Sequence, residues 1–398
     1  MSRARLAWLI PPLLALLMML GPFSVDTPFP AFSAIQHEFG VGTAATQQLV
    51  SFYLLPFGIM SIFHGPLSDA VGRKPVIIGG IAVYALASLG CAFAPSMTAL
   101  LGFRILQGMS AGGGVVLSRT LVADLYRGPE AQRLMSRVMM IFALAPAVAP
   151  IVGGWAVAWA DWRVIFWGLA ALALLLIGLV WWVLPETLPV SGRTPLRVGP
   201  LVRNLVTVAR DVEFEKVALT GAFAFAGFFF YIGAAAIVVV DILHLGETDF
   251  WVLFVPLIFG MMAGSYVSGR SAGRIPGTRL VTWALRLAMV TSLVNIALAQ
   301  TSLPWVLIGP TVLGFTVQTG FPTVQLRLLE MFPATRGAAT SVMTLISLTL
   351  NALTAGLLTP LVAASMTSLA VSAAVMVAFA LAMWTWHLRS TTPAESVA

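Results

Sequence analysis

An all-α membrane protein, with twelve transmembrane helices in two six-helix halves and both termini cytoplasmic, is the fold class this sequence predicts. Three observations predict it. The 398 residues are 59% hydrophobic and 9% charged, with a mean hydropathy of +0.95, and a soluble chain of this size could not cover so much apolar surface. The apolar runs are of helix length rather than the short alternating segments of a membrane barrel. The basic residues sort onto one side once twelve crossings are counted.

Windows of roughly 20 apolar residues, the length needed to cross a bilayer, fall at 8–29, 47–64, 76–94, 98–119, 137–159, 163–184, 217–240, 250–269, 279–300, 303–326, 338–361 and 366–387. The first reads as a spanning helix rather than a signal peptide, because its apolar run is long, it carries prolines and no small-residue cleavage site follows. Arg3, Arg5, Arg73, Lys74, Arg127, Arg133, Arg193, Arg197, Arg203, Arg210, Lys216, Arg270, Arg274, Arg327, Arg336 and Arg389 then share one side. The other side holds Arg163 with Glu38, Asp161, Asp241, Glu247 and Asp249. This positive-inside asymmetry puts that basic side in the cytoplasm. A high pI would also fit a nucleic-acid binder, but the cations are scattered over loops instead of forming a stripe. Cys91, the single cysteine, lies in an apolar run and has no intrachain partner.

The domain organisation follows: an N-terminal six-helix bundle at 1–184, a cytoplasmic central loop at 185–216, and a C-terminal six-helix bundle with a short cytoplasmic tail at 217–398. Between Gly199 and Lys216 apolar residues recur at helical spacing among charges, the pattern of a helix lying on the inner membrane surface; a plain linker fits equally well. A weak repeat links the halves. Asp124-Leu125-Tyr126-Arg127-Gly128 is echoed by Glu330-Met331-Phe332 with Arg336-Gly337, and Gly65–Pro75 by Gly269-Arg270 to Gly273-Arg274, as in many secondary transporters.

Several residues carry chemistry. Asp69 and Arg73 stand i, i+4 and can pair on a helical turn, while Gly65 and Gly72 permit close approach and tight turning. Asp26 is an acid inside an apolar segment, costly unless it faces a cavity or partner, and reversible protonation there is what a proton-coupling site needs. It lies about 27 Å along the first helix, and the plain alternative is an acid at the outer helix end. Arg104 falls at comparable depth on the fourth helix, so a pair or shared wet cavity with Asp26 would lower the cost of both; a static salt bridge is the alternative. Pro146 and Pro150 bend the fifth helix, and Gly153 and Gly154 allow close helix contact. Tyr53, Phe225, Phe229, Tyr231, Asn295 and Gln318 are candidate cavity-lining residues, with interhelical or lipid-facing packing as the alternative.

Gly65-x-Leu67-x-Asp69-x-x-Gly72-Arg73-Lys74 resembles the loop between the second and third helices of the major facilitator superfamily of transporters. Arg104-Ile105-Leu106-Gln107-Gly108 resembles that family's fourth-helix motif, and Ala145–Trp155 its antiporter signature, with Ala149 where many members have glycine. Val25–Phe32 resembles the end of the first helix in the bicyclomycin- and chloramphenicol-resistance (Bcr/CflA) drug transporters, apart from Thr27-Pro28 and Phe32-Ser33. The resemblance covers the N-terminal half best. It implies a proton-coupled exporter of small hydrophobic drugs, amphenicol- or bicyclomycin-like, working by alternating access in the bacterial inner membrane. Asp26, Arg104 and Gln107 would form the coupling and substrate site. Gly65, Asp69, Gly72, Arg73, Lys74 and Asp124 would form the gate, the acid at Asp69 facing the eleventh helix. Pro146, Pro150, Gly153 and Gly154 would form the antiporter element.

No phosphate-binding loop, metal-spaced His/Cys set or nucleophile–base arrangement is present in the sequence. Hence no enzyme activity, cofactor, metal or nucleic acid is expected. Protons, a drug-like apolar small molecule and membrane lipid are the expected partners, and the chain is expected to act as a monomer. Two other readings remain: a nutrient or metabolite importer or symporter on the same fold, and a non-transporting membrane sensor, against which the lack of any soluble receiver domain counts.

Overall fold

The computed structural model describes residues 9–126, 128–194, 196–333 and 335–391. Trp8, where the first expected helix begins, and Arg3, Arg5 and Arg127 of the basic set lie outside them. The described residues are helical with no strand, and fall into two compact units, Met1–Val198 and Gly199–Ala398.

In the first unit the helices are α1 (Ile10–Asp26), α2 (Phe32–Phe39), α3 (Thr43–Val71), α4 (Arg73–Ala92), α5 (Met97–Leu125), α6 (Gly128–Trp159) and α7 (Arg163–Val183). In the rest of the chain they are α8 (Val198–Ala209), α9 (Val212–Gly233), α10 (Phe250–Ser271), α11 (Gly277–Leu298), α12 (Ile308–Met331), α13 (Arg336–Leu353), the short α14 (Thr359–Val362) and α15 (Met366–Thr391). Among the described residues ten helical stretches are long and apolar enough to cross a membrane. The helices α6 and α12 stand at the other two expected places; α6 is apolar from Val138 to Trp159, and α12 carries threonines, Gln318 and Arg327.

The two units repeat one packing scheme. In the first, α3 and α4 pack on α5, α4 on α7, and α1 on α5 and α6. In the second, α10 and α11 pack on α12, α11 on α15, and α9 on α12 and α13. Glycines let the backbones meet. A Cβ at Gly108 of α5 would collide with the Tyr53 carbonyl of α3, and Cβ atoms at Gly260 and Gly264 of α10 with the carbonyls of Thr311 and Phe315 of α12.

Three boundaries differ from the sequence expectation, each for a local reason. The first helix does not run unbroken to 29. It stops at Asp26, passes through a 3-10 turn at Phe29–Ala31 and resumes as α2 to Phe39. Pro28 and Pro30 supply no amide donors, so the α-helical ladder is interrupted and restarted. Asp26 therefore sits at an internal break rather than at an outer end. Second, most of Gly65–Pro75 is not a loop. The helix α3 continues through Val71, and one residue, Gly72 at φ 118°, ψ 152°, separates it from α4. That conformation is closed to other L-residues. Third, α9 ends at Gly233, and Ile237–Ile242 forms a π-helical turn in place of the straight helix expected to 240.

Candidate functional site

The interior of the first unit is organised around Arg104, which is fully buried. Its Nε donates to the Leu49 carbonyl at 3.0 Å, and its Nη1 donates to the Ser24 carbonyl and to Gln107 Oε1, both at 2.9 Å. The Ser24 carbonyl is available for a sequence reason: the residue that would bond it in an α-helix is Pro28, which has no N–H. The guanidinium also sits 4.6 Å from the Tyr53 ring centroid. Its Nη2 has no hydrogen-bond partner.

Around this cation a buried hydrogen-bond chain joins α1, α4 and α5. Gln107 Nε2 donates to Ser88 Oγ at 2.8 Å, the Ser88 hydroxyl donates to the Tyr84 carbonyl at 2.8 Å, and Tyr84 Oη meets Ser24 Oγ at 2.5 Å. Sequence reasoning found Arg104 and Gln107 but missed Ser24, Tyr84 and Ser88. Small hydroxyls are common in membrane helices, and only their convergence marks them.

Asp26 is 4% exposed, two residues beyond Ser24 on the same helix. It does not form the expected ion pair with Arg104. No carboxylate among the described residues lies within ion-pair distance of that guanidinium, whose bonds are taken by two carbonyls and Gln107. The physical reason is the proline break, which presents a bare carbonyl where a carboxylate was expected. The hydroxyl of Thr27 and the side-chain amide of Gln47 are buried without partners. Thr27 is also where α6 closes in: a Cβ at Gly153 would collide with the Thr27 carbonyl. Gly153 thus holds the fifth long helix against the break that carries Asp26, within its own unit. Gly154 and Pro150 are buried beside it, and Pro146 is half-buried.

A second centre gathers at Gly72. Arg73 pairs with Asp69 (Nη1 to Oδ1, 2.5 Å) and with Asp124 (Nε to Oδ2, 3.2 Å), and donates to Ser68 Oγ at 2.5 Å. Asp124 also accepts from Thr187 Oγ1 at 3.0 Å, and the Asp69 carbonyl from the Thr194 amide at 3.0 Å. Glu186, which the sequence reading did not select, caps α4. Its carboxylate accepts from the backbone amides of Arg73 at 3.0 Å and Lys74 at 3.2 Å. An anion there meets both unpaired amides and the positive end of the helix dipole. Lys74 Nζ donates to the Trp181 carbonyl at 2.7 Å. Any Cβ on Gly72 would strike Glu186 and Arg193. Gly65, in contrast, faces open space and makes no close approach.

The second unit holds neutral polar groups in its interior. Asn295 Nδ2 donates to Tyr231 Oη at 2.6 Å, both residues being buried, so these two join α11 to α9. Phe225 is half-buried, stacks with Phe229 at a centroid distance of 6.2 Å and meets Phe321 in a tilted contact at 5.6 Å. The half-buried Gln318 has an Oε1 without a hydrogen-bond partner. Charges gather instead at the start of α9 and the ends of α12 and α15. Glu213 accepts from Lys216 at 2.5 Å and contacts His387 Nδ1 at 2.7 Å, and Arg327 Nε donates to His387 Nε2 at 3.1 Å. Lys216 and Arg327, read from the sequence as loop cations, lie on helices in this cluster, and Lys216 is buried.

Comparison with known proteins places this geometry. The sequence profile of the Major Facilitator Superfamily matches residues 14–355. The chain is 34% identical over 291 residues to the uncharacterized MFS-type transporter YdgK of Bacillus subtilis, spanning 73% of this chain and 71% of that one. It is 30% identical over 280 residues to a bicyclomycin resistance protein homolog of Haemophilus influenzae, spanning 70% of each. In fold it resembles the inward-facing, unoccupied crystal structure of a bacterial homolog of the human lysosomal transporter Spinster, with a TM-score of 0.75, 17% identity and 97% of both chains covered.

Proposed function

Since the chain belongs to the Major Facilitator Superfamily, and is a multi-pass membrane transporter rather than an enzyme, we propose that it exports small hydrophobic drug-like molecules in exchange for protons. It crosses the bacterial inner membrane twelve times with both termini in the cytoplasm, and its two halves alternate access to the two sides. The substrates are amphenicol- or bicyclomycin-like; the name of the Haemophilus relative supports that class. Asp26 is the coupling group and alternately takes up and releases a proton as substrate leaves and enters.

The observation that carries this reading is the position of Asp26: buried at a proline-made helix break, ion-paired to no cation among the described residues, and two residues from Ser24, whose carbonyl Arg104 holds. A buried acid that is not locked in a salt bridge is free to change its protonation state. Arg104 holds the break in shape and fixes a positive charge near the site. In the second unit Phe225, Phe229 and Gln318 offer an aromatic and weakly polar wall to the substrate, with Tyr231 and Asn295 behind it; in the first, Tyr53 lines the Arg104 centre. The set Gly65, Asp69, Gly72, Arg73, Lys74 and Asp124 acts as the gate. Pro146, Pro150, Gly153 and Gly154 make α6 a stiff, close-packed support for the coupling site.

The test is growth of a pump-deficient bacterial host across a drug panel, with wild type and Asp26→Asn at matched membrane levels. The expected result is resistance in the wild type and its loss in the variant. Resistance in both would remove Asp26 from the coupling step. Resistance in neither, together with uptake of a labelled metabolite, would favour an importer.

A further inference from the structure

The helix α8 has three longitudinal stripes. One turns to the protein: Leu201, Asn204 and Leu205 are half-buried and Val208 fully buried. Next to it, at i, i+4 and i+8, run Val198, Val202 and Val206, which are 56%, 46% and 40% exposed. At 100° per residue, Arg203, Thr207 and Arg210 form the third stripe beyond the valines, and all three are exposed. From Arg193 to Arg210 the chain carries four arginines and no aspartate or glutamate. A row of exposed valines is costly in water, and an all-cationic flank has no counter-charge on its own helix.

The arginine stripe ends at a cleft of about 200 Å³ between the start of α9 and α15. Arg210 supplies its exposed cation and Lys216 a buried one already paired with Glu213; Leu219, Met383 and Trp386 form its apolar wall, and Glu215 adds one carboxylate. Lys216 Nζ lies 4.4 Å from the Trp386 ring centroid. Cations at one level and an aliphatic and indole surface next to them match the headgroup-to-acyl boundary of a phospholipid.

We infer that α8 and the adjoining cleft are a docking surface for anionic phospholipid, with the valine stripe in the acyl boundary and Arg203 and Arg210 on lipid phosphates. The inference requires only that the chain sits in a membrane and does not rest on the substrate or on the coupling site. Because each basic residue near an anionic surface changes partition by about a factor of five, removal of both arginines is expected to lower the lipid-bound population of α8 about 30-fold.

The experiment places a nitroxide label at Val202→Cys or Thr207→Cys in the full-length protein; the native thiol, Cys91, is buried, which confines labelling to the new site. The protein is held in nanodiscs of phosphatidylcholine alone or in a two-to-one mixture with phosphatidylglycerol. Collision with oxygen reports the acyl region, and collision with a water-soluble nickel chelate reports water. The expected result is an oxygen-accessible label at 202 and a headgroup-level label at 207, both moving toward water without phosphatidylglycerol or in Arg203→Gln/Arg210→Gln, and restored in Arg203→Lys/Arg210→Lys. A label at 202 that meets the nickel chelate in anionic bilayers would overturn the proposal. So would a label closed to both reagents, which would mean a protein partner on that face, or one indifferent to phosphatidylglycerol.

Discussion

The two halves share a packing scheme and differ in what they bury. The first unit encloses a guanidinium, Arg104, and a carboxylate, Asp26, in its interior; at the matching depth of the second, Asn295 and Tyr231 make a neutral contact. At one end of the second unit Lys216, Arg327 and His387 gather around a single carboxylate, Glu213. The helices follow the same division. In the second unit α9 lies closely along α15, whereas in the first the corresponding α1 and α7 barely touch, and α1 is broken. A common helical frame thus carries two interiors. One interior holds buried charge, and the other joins its helices through neutral groups.

The strongest way to break this comparison is Arg104→Met. It leaves Gln107 and the Ser24 and Leu49 carbonyls without their donor, and a loss of about 3 kcal/mol is expected from these buried acceptors, read as thermal unfolding in detergent. A loss below about 1 kcal/mol would mean that charge does not hold the first interior together. Next come the glycines that the shared frame requires. Gly108→Ala in the first unit and Gly260→Ala in the second each drive a methyl into a backbone carbonyl, and should cost about 2–3 kcal/mol alike; a large inequality would show that the two frames are not equivalent. Glu186→Gln keeps the shape and weakens the cap on α4. The carboxylate is exposed, so the expected loss is only about 0.5–1 kcal/mol, and it should shrink further in high salt. Tyr231→Phe is the smallest, about 0.6 kcal/mol, with transport retained, because the interior it touches carries no charge to leave stranded. Loss of transport in this variant would give the second interior a direct part in the cycle.

Much of the frame could be read in the residues themselves. Apolar runs of bilayer length located the long helices, although α3 and α6 extend seven to nine residues past their windows at one end. The family followed from Gly65–Lys74 and Arg104–Gly108. The candidate site was legible as a set of residues but not as a set of bonds. Asp26 and Arg104 were placed at comparable depth, because rise per residue gives depth. Their azimuth is not in that arithmetic; of the two arrangements expected, a pair or a shared wet cavity, the ion pair is absent. Glu186 stood in plain view at the head of a polar stretch, yet nothing local says that its carboxylate reaches the amides of Arg73 and Lys74, more than a hundred positions earlier.

By itself the sequence determined the family, the long apolar helices and the residues that make a break or a tight turn possible, Pro28, Pro30 and Gly72, because these depend on hydropathy, charge and backbone stereochemistry that each residue carries wherever it is; where α1 stops and how far α3 runs came only from the structure. Only the tertiary structure decided which groups bond to Arg104, that Glu186 caps α4, and that Lys216 and Arg327 belong to an enclosed cluster rather than to open loops. Those outcomes depend on which carbonyls are left bare and which helix ends converge, and such properties arise only once the helices have packed.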